Sequence, residues 1–185
     1  MEENDRPNWA ILASGSAAVM VVSALMLPWP EVVASTVLGA LMIAGADVDA
    51  RTYLLPDLVT WGAVACGVVA AVALDPPEGW YAAGAAIVRS AGTALALALM
   101  RECYVRLRAR EGLGFGDVKL AAAVGVWLPV DTIPLCFGLA TGAALLAVLL
   151  TRLRGDMISA STRIPFGAFL CPALWLVFYA SVLPA

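Results

Sequence analysis

Apolar positions fall into seven long runs along the chain, roughly 9–27, 32–48, 58–74, 80–100, 117–130, 134–151 and 164–183. Most measure about 17 to 22 residues, the length an α-helix needs to cross a bilayer core. The breaks between them are short and carry helix-stopping residues. PWPE, DPPEG and LPVDTIP interrupt three joints with Pro and Gly clusters. DARTYLLPD, RECYVRLRAREGLGFG and RLRGDMISASTR form the others. No solenoid-length repeat or low-complexity tract is visible. The pattern predicts an all-α fold, a polytopic transmembrane helix bundle of about seven spans.

Composition strengthens this. Hydrophobic residues make up 62% of the 185 and charged residues only 14%, where a soluble domain carries about a quarter charged; mean hydropathy is +0.90. Residues 1–185 read as one membrane-embedded domain, with no room for a sizeable second one. The N-terminal tail, MEENDRPN, is acidic and precedes an apolar run of about 19 residues, whereas a secretory signal peptide has a basic start and a shorter apolar core. Trp9 to Leu27 is therefore expected to be a retained span.

The placement of the basic residues orients the bundle. Arg51 lies in the 49–57 break, Arg101, Arg106, Arg108 and Arg110 in 101–116, and Arg152, Arg154 and Arg163 in 152–163. The alternate breaks at 28–31, 75–79 and 131–133 hold only acids: Glu31, Asp75, Glu78 and Asp131. The positive-inside rule puts the first set in the cytoplasm, together with the tail at residues 1–8, and the C-terminus outside. The arginine-rich break either fixes topology alone or also attracts anionic lipid head groups. Nothing in this pattern calls for nucleic acid, and the bilayer is the expected surroundings.

The same orientation brings two acidic segments to one membrane face, GADVDARTYLLPD at 45–57 and GLGFGDVKL at 112–120. Asp117 opens an apolar helix after Gly114 and Gly116, whose missing side chains permit close approach. As a plain N-cap it would need no further explanation. A second carboxylate on the same face changes that. Two neighbouring carboxylates do not readily both ionise, so the pair shares a proton. One can then take a proton from water while the other polarises a carbonyl, which is aspartic-protease chemistry. The chain has no histidine, which excludes a Ser-His-Asp triad. Cys66, Cys103, Cys136 and Cys171 are widely spaced with no CxxC pair, so they read as small apolar packing residues rather than zinc ligands.

The order of blocks resembles a known family. D-x-x-x-x-x-x-x-D with L-P before its last Asp (Asp49 to Asp57), then GFGDVKLAAAVGVWL, then IPFGAFL, are similar to the type IV prepilin peptidases, membrane aspartic proteases of the GxGD class. The resemblance covers about residues 45–170. It implies Asp49 and Asp117 as the catalytic pair, with no cofactor and no metal. It implies a prepilin or pseudopilin precursor as substrate, cut after a glycine preceding its apolar helix, at the cytoplasmic face of a bacterial inner membrane, in service of a type IV pilus or type II secretion system. Members often carry, ahead of the first catalytic Asp, a domain with paired cysteines linked to methylating the new N-terminus. Only 48 residues precede Asp49 and they hold no CxxC, so a short form without the N-methyltransferase domain is expected. The last block also departs from the family, with Ala168 where a proline usually follows P-F-G.

Other residues keep two readings. Asp47 is the rival of Asp49; residues two apart on a helix point about 200° apart, so only one can face a partner. It is expected to face a polar cavity or the head-group region. Asp57 is either a third participant or the N-cap of the third helix. Lys119 either tunes Asp117 or holds substrate, or it snorkels to the interface. Arg89, mid-span, either neutralises a deep acid or marks a shallow helix. Gly62, Gly67, Gly84 and Gly92 are candidate close-approach positions. A rival function, a proton- or ion-coupled transporter, requires acids at mid-span rather than at span ends. A non-catalytic scaffold needs them only as caps and anchors.

Overall fold

The computed structural model describes residues 7–108, 114–154 and 164–184, and among these every regular element is an α-helix. They are α1 (Trp9–Met26), α2 (Glu31–Thr52), α3 (Asp57–Leu74), α4 (Gly79–Arg108), α5 (Phe115–Trp127), α6 (Ile133–Leu153) and α7 (Phe166–Ser181). One helix forms at each apolar run, the architecture that hydropathy predicts. Five of them, α1 to α4 and α6, are long and apolar enough to cross a membrane, while α5 and α7 are shorter.

The short α5 is the centre of the bundle. It packs on α3, α4 and α7, and Leu120, Ala121, Ala123 and Val124 are fully buried. Small residues bring its neighbours close. A Cβ on Gly125 would lie 2.5 Å from the Arg89 carbonyl oxygen, and one on Gly67 2.5 Å from Val126 Cγ1. Neither contact would survive a side chain, so both glycines set helix spacing. Of the other candidate close-approach positions, Gly62 makes ordinary contact with Leu41, and Gly84 and Gly92 meet nothing within 4 Å. Large side chains such as Leu25, Val69, Val88 and Leu145 stay exposed on the outer faces. Lipid is the natural solvent for such a surface.

Three helices overrun the apolar runs. α2 continues to Thr52 rather than ending near 48, α4 continues to Arg108 rather than 100, and α5 starts at Phe115 rather than 117. Polar residues at these ends carry the helix onward through i,i+4 pairs: Arg51 with Asp47 and Arg106 with Glu102. Arg101, Arg106 and Arg108 thus stand on a helix and not in a loop. Arg110, Arg163 and the tail at 1–6 lie outside the described residues.

Arg89 bonds to no acid among the described residues; its partners are backbone carbonyls of α5 and its C-cap. The Gly125 carbonyl would ordinarily accept from the amide four residues on, but that residue is Pro129, which has none. Arg89 Nε donates instead to Gly125 O at 3.3 Å and Leu128 O at 3.1 Å, and the next residue, Ser90, donates to Ala122 O at 2.8 Å. α4 therefore closes the end of α5 inside the bundle, where water is scarce and backbone carbonyls still need partners. Arg89→Met is expected to destabilise the fold by roughly 1–3 kcal/mol, the cost of unpaired buried acceptors, read as a lower unfolding midpoint in detergent.

Candidate active site

Local chain chemistry places three helix termini at one end of the bundle. α2 stops because Tyr53 adopts a left-handed conformation (φ 57°), its N–H donating to the Asp49 carbonyl at 2.9 Å. Thr52 Oγ1 accepts from the Leu54 N–H, which steers the chain into Leu54-Leu55-Pro56 and the start of α3. Asp49 thus lies in the last turn of α2, not beyond it. α5 begins after Gly114, and Asp117, its third residue, turns back so that its Oδ2 accepts the Gly114 N–H at 3.2 Å. The N-cap position belongs to Gly114, although Asp117 still satisfies a helix-end amide. α7 begins after Pro165, with its fixed φ and no N–H to satisfy, and the Ala168 N–H donates to Asp49 Oδ2 at 2.8 Å.

The Ile164-Pro165-Phe166-Gly167 block is therefore structural to the site. Gly167 lies directly beside the same carboxylate: a Cβ there would sit 2.9 Å from Asp49 Oδ2. In the sequence this block carried only a resemblance; that its backbone binds Asp49 is new. The available signal was a Pro followed by a Gly at the start of an apolar run, the mark of a helix start that something approaches closely.

Four acids near this end separate into two kinds. Asp47 Oδ2 pairs with Arg51 at 2.6 Å and accepts the Asn8 N–H at 2.7 Å, tying the start of α1 to α2. Asp57 pairs with Lys119, linking α3 to α5 across 62 residues of sequence. Asp49 and Asp117 have no cation among the described residues. They are 4% and 8% exposed, lie on either side of Leu55, which is close to both Gly116 and Gly167, and take backbone amides on Oδ2. Two buried carboxylates at one end of the bundle, with no cation bonded to either among the described residues, are costly to keep for stability alone. Such an arrangement marks a functional site more often than a structural one.

The geometry corrects or completes several expectations. Asp57 is the first residue of α3 and not its N-cap, which is Pro56 with no side-chain cap. Lys119 bonds Asp57 rather than Asp117 and lies 5.4 Å over the Phe115 ring. Asp47 faces Arg51 and the α1 start rather than an open cavity. Asp57→Asn is expected to shift stability by less than about 1 kcal/mol, because that ion pair is largely solvated. Asp47→Ala removes the acceptor of the Asn8 N–H that ties α1 to α2 and is expected to cost about 0.5–1.5 kcal/mol, the net worth of an ordinary hydrogen bond. Thermal unfolding of the two variants side by side reads the difference. Among the described residues no three Cys, Asp or Glu side chains gather as a metal-donor set.

Comparison with known proteins converges on one family. Residues 36–151 match the model of the type IV leader peptidase family, a span that includes Asp49 and Asp117. The chain is 28% identical over 162 residues to a prepilin leader peptidase/N-methyltransferase of Aeromonas salmonicida, covering 85% of this chain and 52% of that protein. It is 35% identical over 142 residues to one of Dickeya chrysanthemi, covering 72% and 47%. A third, from Burkholderia pseudomallei, is 32% identical over 160 residues, covering 86% and 50%. The chain spans about half the length of these relatives. No solved structure matches it.

Proposed function

The chain belongs to the type IV leader peptidase family, and from that premise we propose that it is a membrane aspartic endopeptidase acting on prepilin-like or pseudopilin-like precursors. The observation that supports this most is that Asp49 and Asp117, from different helices, come to one end of the bundle and are both nearly buried. Each has Oδ2 held by a backbone amide, through Ala168 and Gly114 respectively. The described hydrogen bonds leave Oδ1 of each for water and substrate. One carboxylate takes a proton from the attacking water, and the other, protonated, donates a hydrogen bond to the scissile carbonyl. Collapse of the tetrahedral intermediate breaks the C–N bond, and the proton first taken from water passes to the leaving amine. No covalent bond to the enzyme forms.

The remaining site residues act by support. Gly114 and Gly116 let the α5 start fold back against Asp117 and Leu55. The Lys119–Asp57 pair holds α3 to α5, and Asp47, paired with Arg51 within α2, holds the start of α1 through the Asn8 N–H. The arginines Arg51, Arg101, Arg106, Arg108, Arg152 and Arg154 favour a cytoplasmic placing of the aspartate end in a bacterial inner membrane. This position suits a substrate whose leader emerges inside and whose apolar helix lies in the bilayer.

The test is cleavage of a precursor by the protein in lipid bilayers, with and without hydroxylamine. Direct attack by water gives a product with a free carboxylate under both conditions. A hydroxamate product by mass spectrometry would reveal an acyl-enzyme and rule out the two-aspartate route. No cleavage of any prepilin-like precursor would remove the endopeptidase reading.

A further inference from the structure

We propose that Leu55 is the spacer that sets the separation of the two carboxylates, a positioning residue for the reaction. α2, which carries Asp49, and α5, which carries Asp117, both pack on α3 and α7 and not extensively on each other. The separation of their acids must therefore be set by something lodged between them.

One side chain reaches all three helices that furnish the site. Leu55 Cδ1 is 2.6 Å from the place of a Cβ on Gly167, beside the Ala168 amide that binds Asp49. Leu55 Cβ is 3.1 Å from the place of one on Gly116, the residue before Asp117. Leu55 Cδ2 is 3.5 Å from the place of one on Gly45, a turn before Asp49. Three glycines, one on each helix, thus open onto the same leucine. Its branched end sends one methyl towards α7 and the other towards α2, while its Cβ meets α5. The residue is also leashed on both sides: six residues earlier the chain carries Asp49, and two residues later Asp57 bonds Lys119 on α5. Removing the branched end lets α5 and α7 settle inward, and misplacement by about 1 Å costs such a site about 10²-fold in rate.

This inference rests on the endopeptidase reading, and its test has one arm that does not. Precursor cleavage is measured for the parent chain, Leu55→Ala, Leu55→Met and, as a buried leucine of α2 far from the site, Leu38→Ala. The expected result is a fall in kcat of about 10²-fold for Leu55→Ala with KM changed less than about threefold. Leu55→Met, nearly equal in volume, restores kcat to within about tenfold, and Leu38→Ala lowers stability without lowering kcat of the folded fraction. In the second arm, Asp49→Cys/Asp117→Cys chains with and without Leu55→Ala are treated with thiol cross-linkers of graded length, and the bridged peptides identified by mass spectrometry. The best-bridging length is expected to shift in the Leu55→Ala background. An unchanged length profile, or a kcat within about twofold of the parent, overturns the proposal. A shifted profile in a chain that cleaves nothing leaves the spacer role standing and removes the protease reading alone.

Discussion

Asp117→Asn is expected to abolish cleavage while leaving the bundle at least as stable as the parent. The two effects have separate causes. An amide can neither take a proton from water nor present an acidic hydrogen to the scissile carbonyl, and loss of such acid–base work costs up to about 10⁴-fold in rate. Stability moves the other way, or not at all. Asp117 is nearly buried, so a neutral group in its place avoids the cost of keeping a charge from water. The side-chain oxygen of the amide still accepts the Gly114 N–H, so the helix start keeps its partner. Initial rates and thermal unfolding on the same preparation read both. A variant that lost stability and kept its rate would return Asp117 to the role of a helix cap.

Gly167→Ala is expected to have the second-largest effect, and here activity and stability fall together. The new methyl would stand 2.6 Å from Leu55 Cδ1 and 2.9 Å from Asp49 Oδ2. The leucine end can swing away, but the carboxylate is held by the Ala168 amide. Relief requires α7 to retreat, which lengthens the Ala168–Asp49 hydrogen bond and turns the carboxylate. A cleavage rate about 10²-fold lower and a loss of about 1–3 kcal/mol, typical of overpacking, are expected from peptide-cleavage kinetics and unfolding in detergent. Ala168 itself acts here through its N–H, which a proline would lack.

Much of the fold was legible because membrane helices announce themselves by length and hydropathy. Each apolar run became a helix, and the punctuation of PWPE, DPPEG and LPVDTIP fell between helices. Helix ends were less legible, because apolar runs mark the bilayer and not the hydrogen-bond ladder. α2 and α4 continue through Arg51 and Arg106 on side-chain pairs that hydropathy does not register. The pairing of Asp49 and Asp117 is a different matter. The spacing to Leu55-Pro56-Asp57 that the resemblance implies favours Asp49 over Asp47, and the structure adds that Asp47 has partners of its own in Arg51 and the Asn8 amide. Arg89 shows the limit of reading residues singly. Its partner is the carbonyl orphaned by Pro129, a residue 40 positions later that the sequence presents only as a helix breaker. The Ala168 amide was equally hidden, since backbone donors have no signature in side-chain patterns.

That the aspartates of α2 and α5, Asp49 and Asp117, perform the hydrolysis is tested by one comparison. Parent chain, Asp49→Asn, Asp117→Asn, Asp47→Asn and Asp57→Asn are reconstituted in bilayers and given a prepilin-like precursor, with products followed by mass spectrometry. The account predicts a single cut by the parent, no detectable product from the first two variants, and continued cleavage by the last two, whose carboxylates are engaged by Arg51 and Lys119. Full-rate cleavage by both Asp49→Asn and Asp117→Asn would contradict it.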